Sequence, residues 1–159
     1  MRSNMDKQEK KIKVLVVDDE EIVRESLQEW LGAYGFDVST AEDGMQALGL
    51  IHDQEFDVVI LDIGLPDMEG TEVLKEAREF RPELKAIILT AYPSKKTTIE
   101  AVKLGAAEYL VKPFEPEHLV GIINAILSGV LPEIGNDFAL VGPLYQLVSE
   151  WKKQQSDKP

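Results

Sequence analysis

Five short apolar runs alternate along the chain with segments of helical period, and this alternation constrains the fold more than any other feature. The runs cover residues 12–17, 36–40, 57–61, 85–89 and 108–111. Four of them are almost wholly apolar, as strands covered on both faces should be. The second is more polar, which indicates an edge strand. Strands that alternate with helices predict an α/β fold, (βα)5, with a five-stranded parallel sheet and right-handed crossovers.

The segments between the runs carry apolar residues at helical spacing. Gly35 is the expected stop of the first helix. Further helices are predicted at residues 43–52, 69–80 and 94–104, and Gly105 ends the last of these. The apolar face of the first helix is formed by Val23, Leu27, Trp30 and Leu31. The fifth helix has a wide apolar stripe of Leu119, Ile122, Ile123, Ile126 and Leu127.

After Gly129 the pattern changes. A linker is predicted around Pro132, Gly135 and Asn136, and Pro143 opens a predicted last helix. The apolar stripe of that helix is Leu144, Leu147, Val148 and Trp151. A helix of about twelve residues is marginal alone in water, so the stripe should pack on its own domain, on a second copy or on a partner.

These boundaries divide the chain into three parts: a charged N-terminal segment 1–11, one domain over residues 12–131, and the linker with its short amphipathic helix over 132–159. The charged start lacks the apolar run of a signal peptide. No apolar run approaches the ~18 residues needed to cross a bilayer. The sequence therefore predicts a soluble, cytoplasmic protein that does not enter the membrane.

Charge and cysteine content exclude several kinds of protein. The chain has 29 Asp and Glu against 17 Lys and Arg, a net charge of -12. Direct nucleic-acid binding is not expected, because it needs a basic surface that displaces counterions. The absence of Cys excludes disulfide scaffolds, thiol catalysis and Cys-type zinc sites.

Polar side chains follow four of the five predicted strands. Asp18 and Asp19 follow the first strand, Asp62 the third, Thr90 the fourth and Lys112 the fifth. Ligands of open α/β sheets bind beyond the carboxyl ends of the strands. If the first and third strands are neighbours, the three carboxylates converge. Crowded carboxylates either hold protons or bind a cation, and oxygen ligands favour Mg²⁺.

Such a site would combine a carboxylate nucleophile, a divalent ion and the fixed positive charge of Lys112. Phosphoryl transfer to an aspartate requires these parts. Nucleotide and flavin sites are disfavoured, because they place Gly, Ser or Thr after the first strand. Residues 18–21 are instead four carboxylates.

Each of these residues also has a simpler explanation. Acidic residues at 18–21 are suited to cap a helix and to favour its dipole. Asp62 lies before Gly64 and Pro66, so a turn role is possible. Thr90 and Lys112 singly are more often loop residues. The joint pattern, with complementary groups after four strands, favours the functional interpretation.

Five stretches of the sequence resemble the receiver domain of two-component response regulators, over roughly residues 12–131. They are VVDDE at 16–20, VILD at 59–62, LPDMEG at 65–70, LTA at 89–91 and VKPF at 111–114. The resemblance implies a doubly wound, flavodoxin-like sheet with the strand order 2-1-3-4-5. This order is the known topology of CheY, a member of the same family, and the spacing of the runs alone leaves the order open.

The resemblance also implies a role for each residue at the strand ends. Asp62 is expected to be the phosphoacceptor, Asp19 a direct Mg²⁺ ligand and Asp18 a ligand acting through water. The backbone carbonyl of Gly64 would complete the protein's share of the metal shell. Gly64 itself departs from the family, which more often has a larger side chain there. Tyr92 also flanks the site, and the size of both residues should affect phosphoryl lifetime.

The switch residues implied by the resemblance are Thr90, whose hydroxyl bonds the phosphoryl group, and Tyr109, which turns inward with it. Lys112 would be the ion-pair partner of that group, and the bond to Pro113 would be cis. A phosphoryl group adds roughly 1.5 to 2 negative charges, which would draw Thr90 and Lys112 inward. The affected surface is the fourth helix, fifth strand and fifth helix, and the change biases two existing conformations.

The leading hypothesis is a switch that is phosphorylated by a sensor histidine kinase or phosphotransfer protein. It would then act on a downstream protein partner through that surface, or form a homodimer on phosphorylation. The tail of roughly thirty residues is too short for a usual output domain. The alternative is a receiver fragment of a longer transcriptional regulator whose output domain is absent.

Two further hypotheses are weaker. An Asp-type phosphatase needs a second carboxylate two residues after its nucleophile, and Gly64 occupies that place. The two histidines, His52 and His118, lie on predicted helices without a paired nucleophile, and Ser26 and Ser94 lack a nucleophile elbow. The protein is therefore not expected to be an enzyme beyond its own phosphorylation and dephosphorylation. A degenerate receiver that binds a partner without phosphorylation is disfavoured, since all the expected groups are present.

Overall fold

The computed structural model describes residues 10–129 of the chain. In these residues five parallel strands form one sheet in the order β2-β1-β3-β4-β5. Within these residues the predicted α/β class, the first five predicted helices and the strand order are confirmed. In chain order the elements are β1 (Lys13–Val17), α1 (Glu21–Ala33), β2 (Asp37–Ala41), α2 (Gly44–Asp53), β3 (Val58–Asp62), α3 (Gly70–Phe80), β4 (Ala86–Thr90), α4 (Lys95–Lys103), β5 (Glu108–Val111) and α5 (Pro116–Ser128).

The core has two layers, one on each face of the sheet. In β1, Leu15 and Val17 pack against α2, α3 and α4, whereas Val14 and Val16 pack against α1 and α5. Every residue of β3 and β4 is buried, because helices cover both faces of these strands, and this explains their continuous apolar runs. β2 lies at the edge as predicted, and its boundaries lie one residue later than the run at 36–40.

The helices bury the predicted faces with one exception. In α1, Leu27 and Leu31 are buried, but Trp30 is 41% exposed. Trp30 lies on the same side of α1 as Val23 and Leu27, with which it lines a groove, but at the exposed margin of that face. Gly35 and Gly105 adopt positive φ angles of 94° and 73°, the conformation that commonly follows a helix end.

The predicted linker and last helix, including the stripe from Leu144 to Trp151, lie outside the described residues, and the three-part division of the chain stays a prediction. Within residues 10–129, no helix combines the length and the apolar character needed to span a bilayer.

Candidate functional site

Three carboxylates meet at the carboxyl end of the sheet. β1 and β3 are neighbours in register, with Val17 opposite Leu61, so the residues that follow Val17 lie beside Asp62. One carboxylate oxygen from each of Asp18, Asp19 and Asp62 lies within 4.8 Å of the others. Asp18 and Asp62 are buried and Asp19 is exposed. The site is therefore open to solvent on the side of Asp19.

Lys112 supplies the positive charge of this cluster. Its Nζ donates to Oδ2 of Asp18 at 2.7 Å and to Oδ2 of Asp62 at 3.2 Å, and it lies 4.0 Å from Oε1 of Glu20. The residue follows β5 at the far edge, and its backbone N–H donates to the carbonyl of Thr90 at 2.8 Å. The peptide bond between Lys112 and Pro113 is cis.

The carboxylates outnumber the ammonium group of Lys112, and this imbalance appears in the pKa of Asp62. Burial and the charge of Asp18 raise the pKa of Asp62, and they outweigh the opposing effects of Lys112 and the Gly64 N–H. Burial alone would lower the pKa of Lys112, but the hydrogen bonds and charges of Asp18 and Asp62 raise it. Lys112 therefore stays charged, and the cluster retains excess negative charge.

The loop after β3 folds tightly around Asp62. The N–H of Gly64 donates to Oδ1 of Asp62 at 3.2 Å, and the N–H of Gly70 donates to the carbonyl of Ile63 at 2.9 Å. A Cβ on Gly70 would collide with the carbonyl oxygen of Asp62. Glycine at position 70 thus lets α3 start directly against the backbone of Asp62, a role that the sequence pattern did not reveal.

Asp67 fixes the same loop to a different helix, a contact that the sequence pattern did not indicate. Its two carboxylate oxygens accept from the N–H groups of Gly44 and Met45, at 2.8 and 2.9 Å. These hydrogen bonds lower the pKa of Asp67. α2 is therefore capped twice, because Asp43 also accepts from the N–H of Gln46.

Arg24 was also missed. Its guanidinium donates to the backbone carbonyl of Asp18 at 2.7 Å and lies 3.8 Å from a carboxylate oxygen of Glu42. Arg24 belongs to α1, so this contact fixes the loop after β1 to the helix that follows it. The sequence shows an arginine in the first turn of a predicted helix, but it does not indicate which group that arginine binds.

Thr90 and Tyr109 occupy the other side of the site. Leu89 is paired with Asp62 across the sheet, so Thr90 lies one residue beyond the level of Asp62. Its side chain is buried, and its Oγ1 accepts from the N–H of Tyr92 at 3.0 Å. Tyr109 is fully buried, and its hydroxyl lies 3.0 Å from that of Thr97. Tyr92 is 89% exposed.

The capping explanation for the acidic loop accounts for only part of it. Asp18 accepts the N–H of Glu20 at 2.9 Å, but Glu20, which precedes α1, makes no side-chain cap hydrogen bond. Capping therefore does not account for the carboxylate of Asp19.

Comparison with known proteins matches residues 14–124 to the family model of the response regulator receiver domain. The chain belongs to this family. Response regulator MprA of Mycobacterium sp. (strain KMS) is 38% identical over 126 residues, which cover 79% of this chain and 55% of that protein. Transcriptional regulatory protein ZraR of Escherichia coli (strain K12) is 38% identical over 117 residues, covering 74% and 26% respectively.

Among solved structures, a CheY-like response regulator receiver domain protein from Methanospirillum hungatei JF-1 superposes with a TM-score of 0.74 at 33% identity. The match covers 76% of this chain and 97% of that one. This receiver thus spans about half the length of MprA and about a quarter of ZraR, but nearly the whole of that structure.

The residues considered for hydrolytic enzymes have other contacts in this receiver. His52 is exposed and lies near Asp53 and the ring of Phe80. Ser94 caps α4 by accepting the N–H of Thr97. Neither contact forms a nucleophile and base pair.

Proposed function

We propose that this receiver accepts a phosphoryl group on Asp62 from the phosphohistidine of a sensor histidine kinase or phosphotransfer protein, in a Mg²⁺-dependent reaction. The observation that carries the proposal is the position of Asp62. Its carboxylate lies with two other carboxylates at the carboxyl end of the sheet and 3.2 Å from the ammonium of Lys112. A nucleophile, a set of oxygen ligands and a cation are therefore in one place.

The donor set fits Mg²⁺. Asp18, Asp19 and Asp62 offer hard oxygen atoms within 4.8 Å of one another, and the backbone carbonyl of Gly64 follows on the same loop. Magnesium prefers few carboxylates and retains several waters, which agrees with a cluster that is exposed at Asp19. A bound Mg²⁺ would neutralise charge on the phosphoryl oxygens as they approach the carboxylates.

In the proposed step, a carboxylate oxygen of Asp62 forms a bond to phosphorus. The bond from phosphorus to the donor imidazole nitrogen breaks, and the imidazole nitrogen keeps the electron pair. Lys112 then pairs with a phosphoryl oxygen in place of its contact with Asp62. Because Lys112 also donates to Asp18, it stays anchored while one of its partners changes.

The proposed conformational change involves two residues near the site that carry hydroxyl groups. Thr90 would exchange its hydrogen bond with the N–H of Tyr92 for one with the phosphoryl group. Tyr109 lies one strand away and contacts α4 through Thr97. Movement of the β4–α4 loop would therefore reach α4, β5 and α5, the surface proposed to contact a downstream protein or a second phosphorylated copy.

A second candidate is favoured by the relatives. This chain covers about half of MprA and a quarter of the transcriptional regulatory protein ZraR, so the same receiver would serve within a longer transcriptional regulator. The two candidates share the chemistry at Asp62 and differ only in the output.

The test is incubation with acetyl phosphate and Mg²⁺, followed by intact-mass measurement. We expect a phosphoryl-sized mass gain that EDTA abolishes and that Asp62→Ala lacks. Asp53→Asn, an exposed carboxylate of α2, is the matched control and should gain the same mass as the parent chain.

A gain that persists in Asp62→Ala would contradict the assignment of the phosphoacceptor. Absence of any gain, together with failure to bind a beryllofluoride mimic, would overturn phosphoacceptance altogether.

A further inference from the structure

Arg24 lies in the first turn of α1, where a positive charge is unfavourable. The start of a helix carries the positive end of the helix dipole, which favours Asp and Glu and disfavours Lys and Arg. The side chain of Arg24 is also only 15% exposed, and burying a charge costs free energy unless hydrogen bonds compensate for the lost water. The contacts of Arg24 must therefore explain why an arginine is present at this position.

The short contact of Arg24 is with the peptide bond that joins two of the three clustered carboxylates. Its Nη1 donates to the backbone carbonyl of Asp18 at 2.7 Å, and this carbonyl belongs to the peptide bond between Asp18 and Asp19. The N–H of Asp18 donates to the carbonyl of Ala41 at 3.1 Å. The backbone of Asp18 is thus held on one side by the end of β2 and on the other by the guanidinium.

We propose that Arg24 is a positioning residue for the Mg²⁺ site. Its hydrogen bond fixes the plane of the peptide bond between Asp18 and Asp19. Because a rotation of that plane would turn the two side chains relative to each other, the hydrogen bond sets the directions of both carboxylates. Arg24 has this role only if Asp18 and Asp19 hold Mg²⁺, so the assignment rests on the proposed function.

The two carboxylates differ in how they are held. Asp18 is buried, and its oxygens accept the N–H of Glu20 at 2.9 Å and the Nζ of Lys112 at 2.7 Å. Asp19 is exposed, so the direction of its carboxylate depends mainly on the backbone that carries it. The hydrogen bond from Arg24 therefore matters most for Asp19.

Glu42 holds the other end of the guanidinium only loosely. Its Oε2 lies 3.8 Å from Nη2 of Arg24, and its side chain is 64% exposed. Exposed ion pairs contribute little to stability, so the hydrogen bond to the carbonyl of Asp18 is the contact that fixes Arg24. The planar fork of the guanidinium serves both contacts at once, which the single ammonium of a lysine does not reproduce.

The charge of Arg24 and its positioning role predict opposite effects on Mg²⁺ binding. A guanidinium repels a nearby divalent cation, so removal of the charge alone would tighten the binding of Mg²⁺. Loss of the hydrogen bond would instead free the peptide plane and weaken the binding, because Mg²⁺ demands near-ideal octahedral geometry. The sign of the change therefore separates a positioning residue from a charge that merely lies nearby.

The test is a titration with MgCl₂, without a phosphoryl donor, followed by the NMR signals of the backbone N–H groups. These signals report the dissociation constant of the folded molecules alone, so a loss of stability does not alter the result. We expect Arg24→Gln to raise the dissociation constant by about tenfold or more, the usual effect of losing a group that orients a metal ligand. Arg24→Lys, which keeps the charge without the fork, should raise it by a smaller factor.

Arg81→Gln is the matched control. Arg81 donates to the backbone carbonyls of Ile51 and His52 and pairs with Glu55, so it makes the same kinds of contact as Arg24. It lies shortly before β4, at the amino end of the sheet and away from the carboxylates. The variant should lose comparable contacts and bind Mg²⁺ as the parent chain does.

Three outcomes would overturn the positioning role. An unchanged or lowered dissociation constant in Arg24→Gln, while the parent chain binds Mg²⁺, would remove it and leave the proposed function intact. An equal rise in Arg81→Gln would show a general loosening of the fold. If the parent chain does not bind Mg²⁺, the proposed function fails and the role of Arg24 fails with it. Should Arg24→Gln not fold, Arg24→Lys decides, because an unchanged constant in that variant contradicts the role as well.

Discussion

The hydroxyl of Tyr109 on β5 lies 3.0 Å from the hydroxyl of Thr97 on α4. This pair joins a fully buried aromatic side chain, the proposed switch residue, to the first turn of α4. Thr97 also contacts Ser94, the residue that caps the same helix. The position of α4 and the side-chain position of Tyr109 are therefore coupled through one hydrogen bond.

Removing either hydroxyl should measure this coupling. We expect Thr97→Val and Tyr109→Phe each to lower the free energy of unfolding by about 1 kcal/mol, the usual net value of one hydrogen bond. The double variant should lose less than the sum of the two, because both changes delete the same bond. Urea denaturation of the four proteins gives the values, and strict additivity would show that the two hydroxyls do not interact.

Lys112→Met should destabilise the protein, because it leaves the carboxylates of Asp18 and Asp62 facing each other without a cation. Loss of one partner from a buried ion pair costs about 3 kcal/mol or more, and side-chain exposure at these positions is at most 15%. Added Mg²⁺ should recover part of the loss. The comparison is Lys103→Met, an exposed lysine of α4, for which urea denaturation should show little change.

Gly70→Ala should both destabilise the fold and impair phosphorylation, since the added Cβ collides with the backbone of Asp62. Overpacking of this kind costs about 1–3 kcal/mol. Gly49→Ala provides the contrast, because no atom lies near its Cβ position in α2. That variant should gain about 0.5–1 kcal/mol from better helix propensity. Thermal unfolding and the rate of acetyl phosphate labelling would test both, and a neutral Gly70→Ala would show that α3 is free to shift.

Asp67→Ala should weaken the start of α2 and also slow phosphorylation of Asp62, because Asp67 holds the loop that carries Gly64. Asp43→Ala removes the other cap of α2 and should cost about 1 kcal/mol without affecting the labelling rate. Equal rates in the two variants would mean that the loop keeps its position without Asp67.

Glu108 should make stability depend on pH. It is the first residue of β5, it is buried, and its Oε1 accepts the N–H of Tyr109 at 3.3 Å. Burial raises its pKa from 4.5 to about 7. The folded protein therefore keeps this proton up to about pH 7, whereas the unfolded chain loses it near pH 4.5. The stability associated with the protonated group is complete below pH 4.5 and falls as the pH rises towards 7.

Glu108→Gln should remove this loss of stability at higher pH. Relative to the parent chain, the variant should gain stability between about pH 4.5 and about pH 8, by up to about 3 kcal/mol. Glu76→Gln, at an exposed site on α3, should show a constant difference over the same range. The measurement is urea denaturation at several pH values, and a pH-independent Glu108→Gln difference would contradict the burial effect.

The alternation of strands and helices was predictable because it depends on local patterns, whereas the strand order came from the family resemblance. Strand ends in a parallel sheet meet at one edge, so the residues after β1 and β3 converge once the strand order is known. The contacts of Asp67 and Arg24 were not predictable, because each depends on how separate segments pack. Asp67 meets a helix start 23 residues away in sequence. Trp30 shares the predicted face but is 41% exposed, because helical period defines the buried part of a face only to within about a quarter of a turn.

The contacts around Asp62 differ on its two sides, one of which is held by contacts between loops and helices. On the β1 and β3 side, Arg24 binds the carbonyl of Asp18, Asp67 binds the start of α2, and Gly70 lies against the backbone. On the β4 and β5 side, the hydroxyls of Thr90 and Tyr109 instead make hydrogen bonds to Tyr92 and Thr97, which lie in the β4–α4 loop and in α4. A charge added at Asp62 would thus shift atoms on the β4 and β5 side of the sheet, towards α4, whereas α2 would keep its position.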